Sequence, residues 1–318
     1  MELYFAPLEG VTDAIYRRVH RRHFSGASKY FMPFLSPSHS LTWSAKERFE
    51  MAPAQNAGVP VVPQILANRA DYFNATARQL ADFGYAEVNL NLGCPSGTVT
   101  AKGKGSGLLR TPDALRALLD RIFEKPLLPV SVKTRIGYQS ADEWPRLLAL
   151  LREYPFSELI VHPRTRQEFY NGQPHADACR LIEAPFVYNG DLFAAGDCRA
   201  LANDFSNARA LMLGRGLVAN PALAQAVSGG EALTREALIA FHEDLYAEYA
   251  RYWPETAVVG RMHLMMKYLC GCFENSDGPR RALRKATTPE AYYAAVRQLF
   301  EECPFKAEPR FDLDILLS

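Results

Sequence analysis

The stretch Glu87-Val88-Asn89-Leu90-Asn91-Leu92-Gly93-Cys94-Pro95-Ser96 decides the fold. It is a short apolar-rich run ending in a Gly and Pro turn. It lies between two 3.6-period patterns, Ala70 to Asp82 and Pro112 to Phe123, and so reads as a strand flanked by helices. Working outward, the same alternation holds for about 225 residues. The remaining strand candidates are Leu3 to Ala6, Lys29 to Pro33, Pro60 to Ile65, Val130 to Thr134, Glu158 to His162, Phe186 to Asn189 and Ala210 to Leu213. Further helical patterns cover Ala14 to Arg22, Asp142 to Arg152 and Leu217 to Val227. Eight strands alternating with helices imply right-handed parallel crossovers closing into a ring, so residues 1–230 are expected to form a (β/α)8 TIM barrel of the α/β class. The second unit is the least regular, with a loop at Ser36 to Ser40 and a short helix within Trp43 to Met51.

After Gly229-Gly230 the strand signals stop, and helical patterns run from Thr234 to Tyr252, Thr256 to Phe273 and Pro289 to Cys303. Thr234 and Thr288 read as N-caps, the latter with Pro289 at the first helical position. Residues 231–318 are therefore expected to form a separate C-terminal all-α helical domain.

A chain of 318 residues, 48% hydrophobic and 22% charged, fits a barrel with a small domain added and excludes a disordered chain. No apolar run reaches membrane-spanning length and Met1-Glu2-Leu3-Tyr4-Phe5 does not open a secretory signal, so the expected location is the cytoplasm. A net charge of +1 announces no polyanion partner, so nucleic-acid binding would need a local patch. The six cysteines have neither C-x2-C spacing nor finger-spaced histidines, which argues against a metal site or a disulfide scaffold.

In such barrels the active site lies at the C-terminal strand ends. Polar residues converge there: Pro7-Leu8-Glu9 after strand one, Gln64 on strand three, Asn91 to Pro95 after strand four and Lys133 on strand five. His162-Pro163-Arg164 ends strand six, Asn189-Gly190-Asp191 strand seven and Gly214-Arg215-Gly216 strand eight. Singly, Gln64 reads as a core amide, Lys133 as a snorkelling lysine and His162 as a rim histidine. Their convergence favours a site. The glycine turns after the last two strands occupy the usual phosphate position, and Lys133 with Gln64 suits the polar rim of a flat heteroaromatic cofactor such as FMN. No G-x-G-x-x-G follows an early strand, so a mononucleotide fits better than a dinucleotide.

The segment Asn89 to Ser96 resembles the corresponding motif of the tRNA-dihydrouridine synthases, FMN-dependent reductases of uridine in tRNA. The resemblance continues through Ala6 to Asp13, Val132 to Gly137, Val161 to Thr165, Tyr188 to Asp191 and Met212 to Gly216, and a helical region follows as in that family. It implies FMN contacts from Pro7, Leu8, Glu9, Gln64, Lys133 and His162, with phosphate against Asn189, Gly190, Asp191, Gly214 and Arg215. It also implies that Cys94 is the catalytic acid, that Asn91 holds the target base, and that NADPH or NADH is the reductant. The sequence departs from the family pattern at Ile65 to Asn68, in the glycine-rich loop Lys102 to Gly107, and at Pro163.

Reduction of the uracil C5=C6 bond needs a hydride at one carbon and a proton at the other. A thiol with an ordinary pKa of about 8.5 is mostly protonated at neutral pH, so Cys94 can give the proton, while Lys133, His162 and Arg164 can stabilise charge on the carbonyl oxygens. The bland reading of Cys94 is a small buried hydrophobe, but its place at the start of a Gly- and Lys-rich loop favours chemistry. For RNA phosphates the candidates are Lys102 and Lys104 beside Cys94, and Arg261, Lys267, Arg280, Arg281, Arg284 and Lys285 near Tyr268. The basic first helix, with Arg17, Arg18, Arg21 and Arg22, reads instead as a solvated outer face. The expected partner is tRNA, with no membrane, no metal and a monomeric chain. Two other readings stay open: an FMN barrel acting on a free pyrimidine or small enone, and a flavin-binding RNA chaperone without turnover.

Overall fold

The structure, a computed structural model, describes residues 1–309; positions 310–318, the end of the expected helical domain, lie outside the described residues. The parallel strands are β1 (Glu2–Phe5), β2 (Lys29–Phe31), β3 (Val61–Val62), β4 (Gln64–Ile65), β5 (Val88–Leu92), β6 (Val130–Gly137), β7 (Leu159–Thr165), β8 (Phe186–Tyr188) and β9 (Ala208–Leu213). They pair in the order β3-β2-β1-β9-β8-β7-β6-β5-β4. The end members β3 and β4 are consecutive pieces of one strand, so the sheet closes on itself as an eight-membered barrel. Pro63 makes the break because it has no N–H to give a ladder, while its carbonyl still accepts from Asn89 N at 2.9 Å.

The helices around the barrel are α1 (Ala14–His23), α2 (Ala45–Met51), α3 (Ala70–Asp82), α4 (Gly97–Thr100), α5 (Pro112–Phe123), α6 (Trp144–Leu151), α7 (Ala195–Asp204), α8 (Arg215–Ala219) and α9 (Leu223–Val227). The irregular second unit carries α2, started by a capping box between Ser44 and Glu47. The helix expected over Leu217 to Val227 is two short helices, because Pro221 cannot donate to a helical ladder.

Strand periodicity explains what the barrel holds. Leu3 and Phe5, Val88, Leu90 and Leu92, and Val130 and Val132 point outward into the helix-facing core, while Tyr4 and Ala6 join Phe31, Val62, Ile160, Val187, Ala210 and Met212 in a separate inner cluster. The same alternation sends Asn89, Asn91, Ser131 and Lys133 inward.

Beyond residue 234 lie α10 (Arg235–Ala250), α11 (Glu255–Leu269), α12 (Asp277–Lys285) and α13 (Pro289–Glu302). Thr234 and Thr288 cap α10 and α13 through their hydroxyls, as the sequence predicts. α12 has no counterpart among the expected helices. The solvated-face reading of α1 holds for the exposed Arg21 and Arg22 and is overturned for Arg17 and Arg18: α1 packs on α10, Arg18 pairs with Glu248, Arg22 and His23 pair with Asp244, and buried Arg17 bonds Glu50 and Asn56. A basic helix face found its counter-ions in a neighbouring helix, which local sequence does not reveal. The outer core runs without interruption from the barrel layer into Leu238, Phe241, Met262, Tyr292 and Leu299.

Candidate active site

The floor of the barrel mouth is a chain of amides. Asn89 Nδ2 donates to Ser131 Oγ at 2.9 Å, Gln64 Nε2 to Asn89 Oδ1 at 2.8 Å, and Asn91 Nδ2 to Gln64 Oε1 at 2.6 Å. Asn91 Oδ1 then accepts from Gly93 N at 3.0 Å and Cys94 N at 2.9 Å. Asn91 thus orients the turn that carries the thiol. From the other side, Ser106 donates to the Cys94 carbonyl through N–H at 3.1 Å and Oγ at 2.8 Å. Gly105, at φ +56, lies so close that a Cβ would sit 2.9 Å from that carbonyl.

Cys94 is the only cysteine among the described residues that is not buried. Partial burial pushes its thiol above the ordinary value; the Ser96 backbone, Arg135 and Lys133 pull the other way without reversing it. The group is therefore a thiol, not a thiolate, at neutral pH.

Cations crowd the neighbouring wall, on β6 and β7. Lys133 is pulled down to about 7, first by burial and then by Arg135, and it has no carboxylate partner among the described residues. Arg135 falls to about 10 through burial, although Tyr170 opposes the shift; it donates to Gly93 O at 3.0 Å and Thr165 O at 2.7 Å. His162 is pushed well below its usual range by burial and by Arg135, Lys133, Arg164 and Arg215, so its imidazole is neutral. Arg164 Nη1 donates to His162 Nε2 at 3.2 Å, which leaves Nδ1 as the N–H donor. Asp191 is held by Arg164 and, at 2.5 Å, by Arg215.

A cavity of about 390 Å³ opens between these walls. Pro7, Leu8, Glu9, Gln64, Asn91, Cys94, Lys133, His162, Asn189, Gly190, Asp191, Gly214 and Arg215 all line it. Arg164 lies behind the wall, fully buried. Lys102 is exposed on the neighbouring loop, and Lys104 bonds Ser36 Oγ at 3.0 Å. Arg261 ties α11 to the loop after β1, through Gly10 O at 2.6 Å and Asp13. Lys267, Arg281, Arg284 and Lys285 are exposed on α11 and α12, and Arg280 approaches Asp277 at 3.8 Å; the cavity lining includes none of these five.

Among the cavity residues absent from the expected set are Arg135, Tyr170, Phe193 and Tyr268. Arg135 sits within the quoted Lys133-Thr134-Arg135 run, and strand alternation could have flagged it. Tyr170 lies on an irregular loop and Tyr268 on α11, where only tertiary packing brings them to the mouth.

The donor set suits an anionic, flat, polar-edged group. Lys133 and the neutral His162 face the cavity, Gln64 supplies an amide, and the last two strand turns are glycine-built for close packing. A Cβ at Gly216 would lie 2.0 Å from Leu192 O, and one at Gly190 2.4 Å from Tyr188 Oη. FMN fits these residues.

The family profile described as dihydrouridine synthase matches residues 4–303. A probable tRNA-dihydrouridine synthase of Rhodobacter capsulatus is 30% identical over 309 residues, covering 93% of this chain and 94% of that protein. The tRNA-dihydrouridine synthase B of Pasteurella multocida is 29% identical over 224 residues, 69% of this chain and 66% of its own. Among solved structures, the old yellow enzyme homologue of Zymomonas mobilis superposes with a TM-score of 0.52 at 12% identity, over 73% of this chain and 90% of its own; that likeness concerns the barrel fold alone.

Proposed function

Because the chain belongs to the dihydrouridine synthase family, we propose that its barrel mouth holds FMN against one wall and presents the Cys94 thiol to a uracil lying between them. The chain reduces a uridine of tRNA to 5,6-dihydrouridine, and the bound flavin supplies the hydride. The observation that carries the assignment of Cys94 is its setting: a half-buried thiol kept protonated, fixed on both sides by Asn91 and Ser106, in the cavity that Lys133 and His162 also line.

Lys133, with no carboxylate partner among the described residues, would meet the polar edge of the flavin ring, and Gln64 and the Nδ1–H of His162 would add hydrogen bonds there. Arg215, Asn189, Gly190 and Gly214 would surround the phosphate, with Asp191 keeping Arg164 and Arg215 in register. On the substrate side Cys94 gives its proton to the ring carbon that does not receive the hydride. Arg135 stands near enough to Cys94 to lower the cost of the thiolate that remains. Asn91 keeps the turn in place, and its cavity-lining amide is the group to meet the base edge.

A stacked uracil cannot enter this mouth, so the target nucleotide is everted and the tRNA is read outside the pocket. Residues 231–318 would form the RNA-facing domain, with Lys267, Arg281, Arg284, Lys285 and Lys102 offered to phosphates. NADPH or NADH would reload the flavin, and the chain would act as a monomer in the cytoplasm. Among the described residues no helix is long and apolar enough to cross a membrane, and no metal-ligating cluster occurs.

Flavin-reduced protein mixed anaerobically with unmodified tRNA and, separately, with free uridine tests this reading. Flavin reoxidation by tRNA alone is expected. Reoxidation by uridine, or tRNA binding without reoxidation, would contradict it.

A further inference from the structure

Beside the mouth, three loops build a stack of alternating cations and aromatic rings that the chemistry above does not use. The Arg110 guanidinium lies 4.9 Å from the Tyr138 ring centre; the Arg166 guanidinium lies 5.4 Å from that ring and 5.0 Å from Phe169. Among the described residues neither arginine pairs with a carboxylate: Arg110 donates only to the Thr100 carbonyl, at 3.4 Å, and Arg166 Nε is buried with no hydrogen-bond acceptor. The nearby carboxylates are engaged elsewhere. Glu143 accepts from the N–H groups of Tyr138, Gln139 and Ser140, and Glu168 accepts from Thr165 and His175.

Phe169 and Tyr170 are both exposed, and among the described residues they are the only exposed large hydrophobics adjacent in sequence. Phe169 sits at φ +52, a left-handed conformation that a bulky side chain rarely adopts. The loop that holds it there is firmly tied. Arg166 N donates to Gly137 O at 2.9 Å, Gln167 N to Tyr138 O at 3.0 Å, and the buried Arg164 holds Asn171 O at 3.2 Å and Gly172 O at 2.5 Å. A rigid loop therefore presents an aromatic face to solvent. It adjoins the active site through Arg135, which grips both Gly93 O and Thr165 O, and through Tyr170, which lines the cavity.

Unneutralised guanidiniums call for an anion, and an exposed ring beside them calls for a flat partner. We propose that Arg110, Arg166 and Phe169 form a nucleotide subsite for the RNA strand flanking the everted uridine, with a phosphate on the two guanidiniums and a neighbouring base stacked on Phe169. The proposal rests on the RNA-reductase reading above and adds a surface on the barrel to the phosphate contacts already assigned. It is sequence-tolerant, since every base has a π-face and every nucleotide a phosphate.

The test is equilibrium binding of unmodified tRNA to the flavin-loaded protein across a salt series. Arg166→Ala should weaken binding about tenfold and reduce the salt slope by about one, and Arg166→Lys should restore the slope. Phe169→Ala should weaken binding by about tenfold with an unchanged slope, and Phe169→Trp should restore it. Flavin content, melting temperature and flavin reduction by NADPH should not change in any variant. Unaltered tRNA affinity and slope in an active protein would overturn the subsite alone, as would a raised KM for the pyridine nucleotide with tRNA binding intact. A wild-type protein that leaves tRNA unreduced would overturn the reading beneath it.

Discussion

The two ends of the barrel carry the same kinds of charged residue in opposite states. At the N-terminal end, Lys29 bonds Glu87 at 2.8 Å and Glu158 at 3.1 Å, Tyr4 donates to Glu158 at 2.6 Å, and Arg209 lies 3.9 Å from Glu2 and 3.8 Å from Glu158. Burial pulls Lys29 down, but Glu87 and Glu158 more than restore it, so its pKa is raised. At the C-terminal end, Lys133 and Arg135 have no carboxylate among the described residues, and both are lowered by burial and by one another or their cationic neighbours. One end is a closed plug of matched charges. The other holds positive charge that only a ligand can match, and this contrast separates a stabilising face from a receiving one.

Substitutions at the two ends should part cleanly. The largest effect belongs to Cys94→Ala, which should retain flavin while slowing single-turnover reduction of tRNA on the order of 10²- to 10⁴-fold, read from flavin reoxidation. A protein equally active without the thiol would erase the functional half of the contrast. Next comes Glu158→Ala, which strips Lys29 and Tyr4 of a shared partner and should lower unfolding free energy by about 3 kcal/mol in denaturant titration, with tRNA turnover unchanged. Loss of turnover in the folded variant would show that the plug is not merely structural. Smallest is Lys46→Ala. Lys46 bonds Glu9 at 2.6 Å at the rim, with both side chains about half exposed, so melting should shift by no more than the equivalent of about 0.5 kcal/mol.

Much of the mouth was legible because strand ends are short, punctuated and fixed by a period of two. Asn89 and Asn91 point inward because Val88, Leu90 and Leu92 must face the helices, and that pattern is written in five consecutive letters. The ring closure was legible as a count of strands, although the division at Pro63 follows from hydrogen bonding that a hydropathy pattern does not report. Positions set by packing between distant segments were harder. Arg261 looks like any basic residue on a helix, yet it reaches 251 positions back to Gly10. Arg17 reads as surface and is buried because Glu50 and Asn56 wait for it. Tyr170 enters the cavity only because Glu168 and Arg164 fold its loop, and no spacing rule encodes that.

Lys133, unmatched among the described residues, awaits an anionic cofactor. Anaerobic calorimetric titration of cofactor-free protein with pre-reduced FMN near pH 8, where the reduced ring is anionic at its edge, repeated in two buffers of different ionisation enthalpy, measures this directly. Lys133, lowered to about 7 when alone, should be raised once a counter-charge sits beside it, so binding should take up about one proton and weaken as pH climbs above 7. Lys133→Met should abolish the uptake. Binding without proton uptake, or uptake that persists in the variant, would contradict the account.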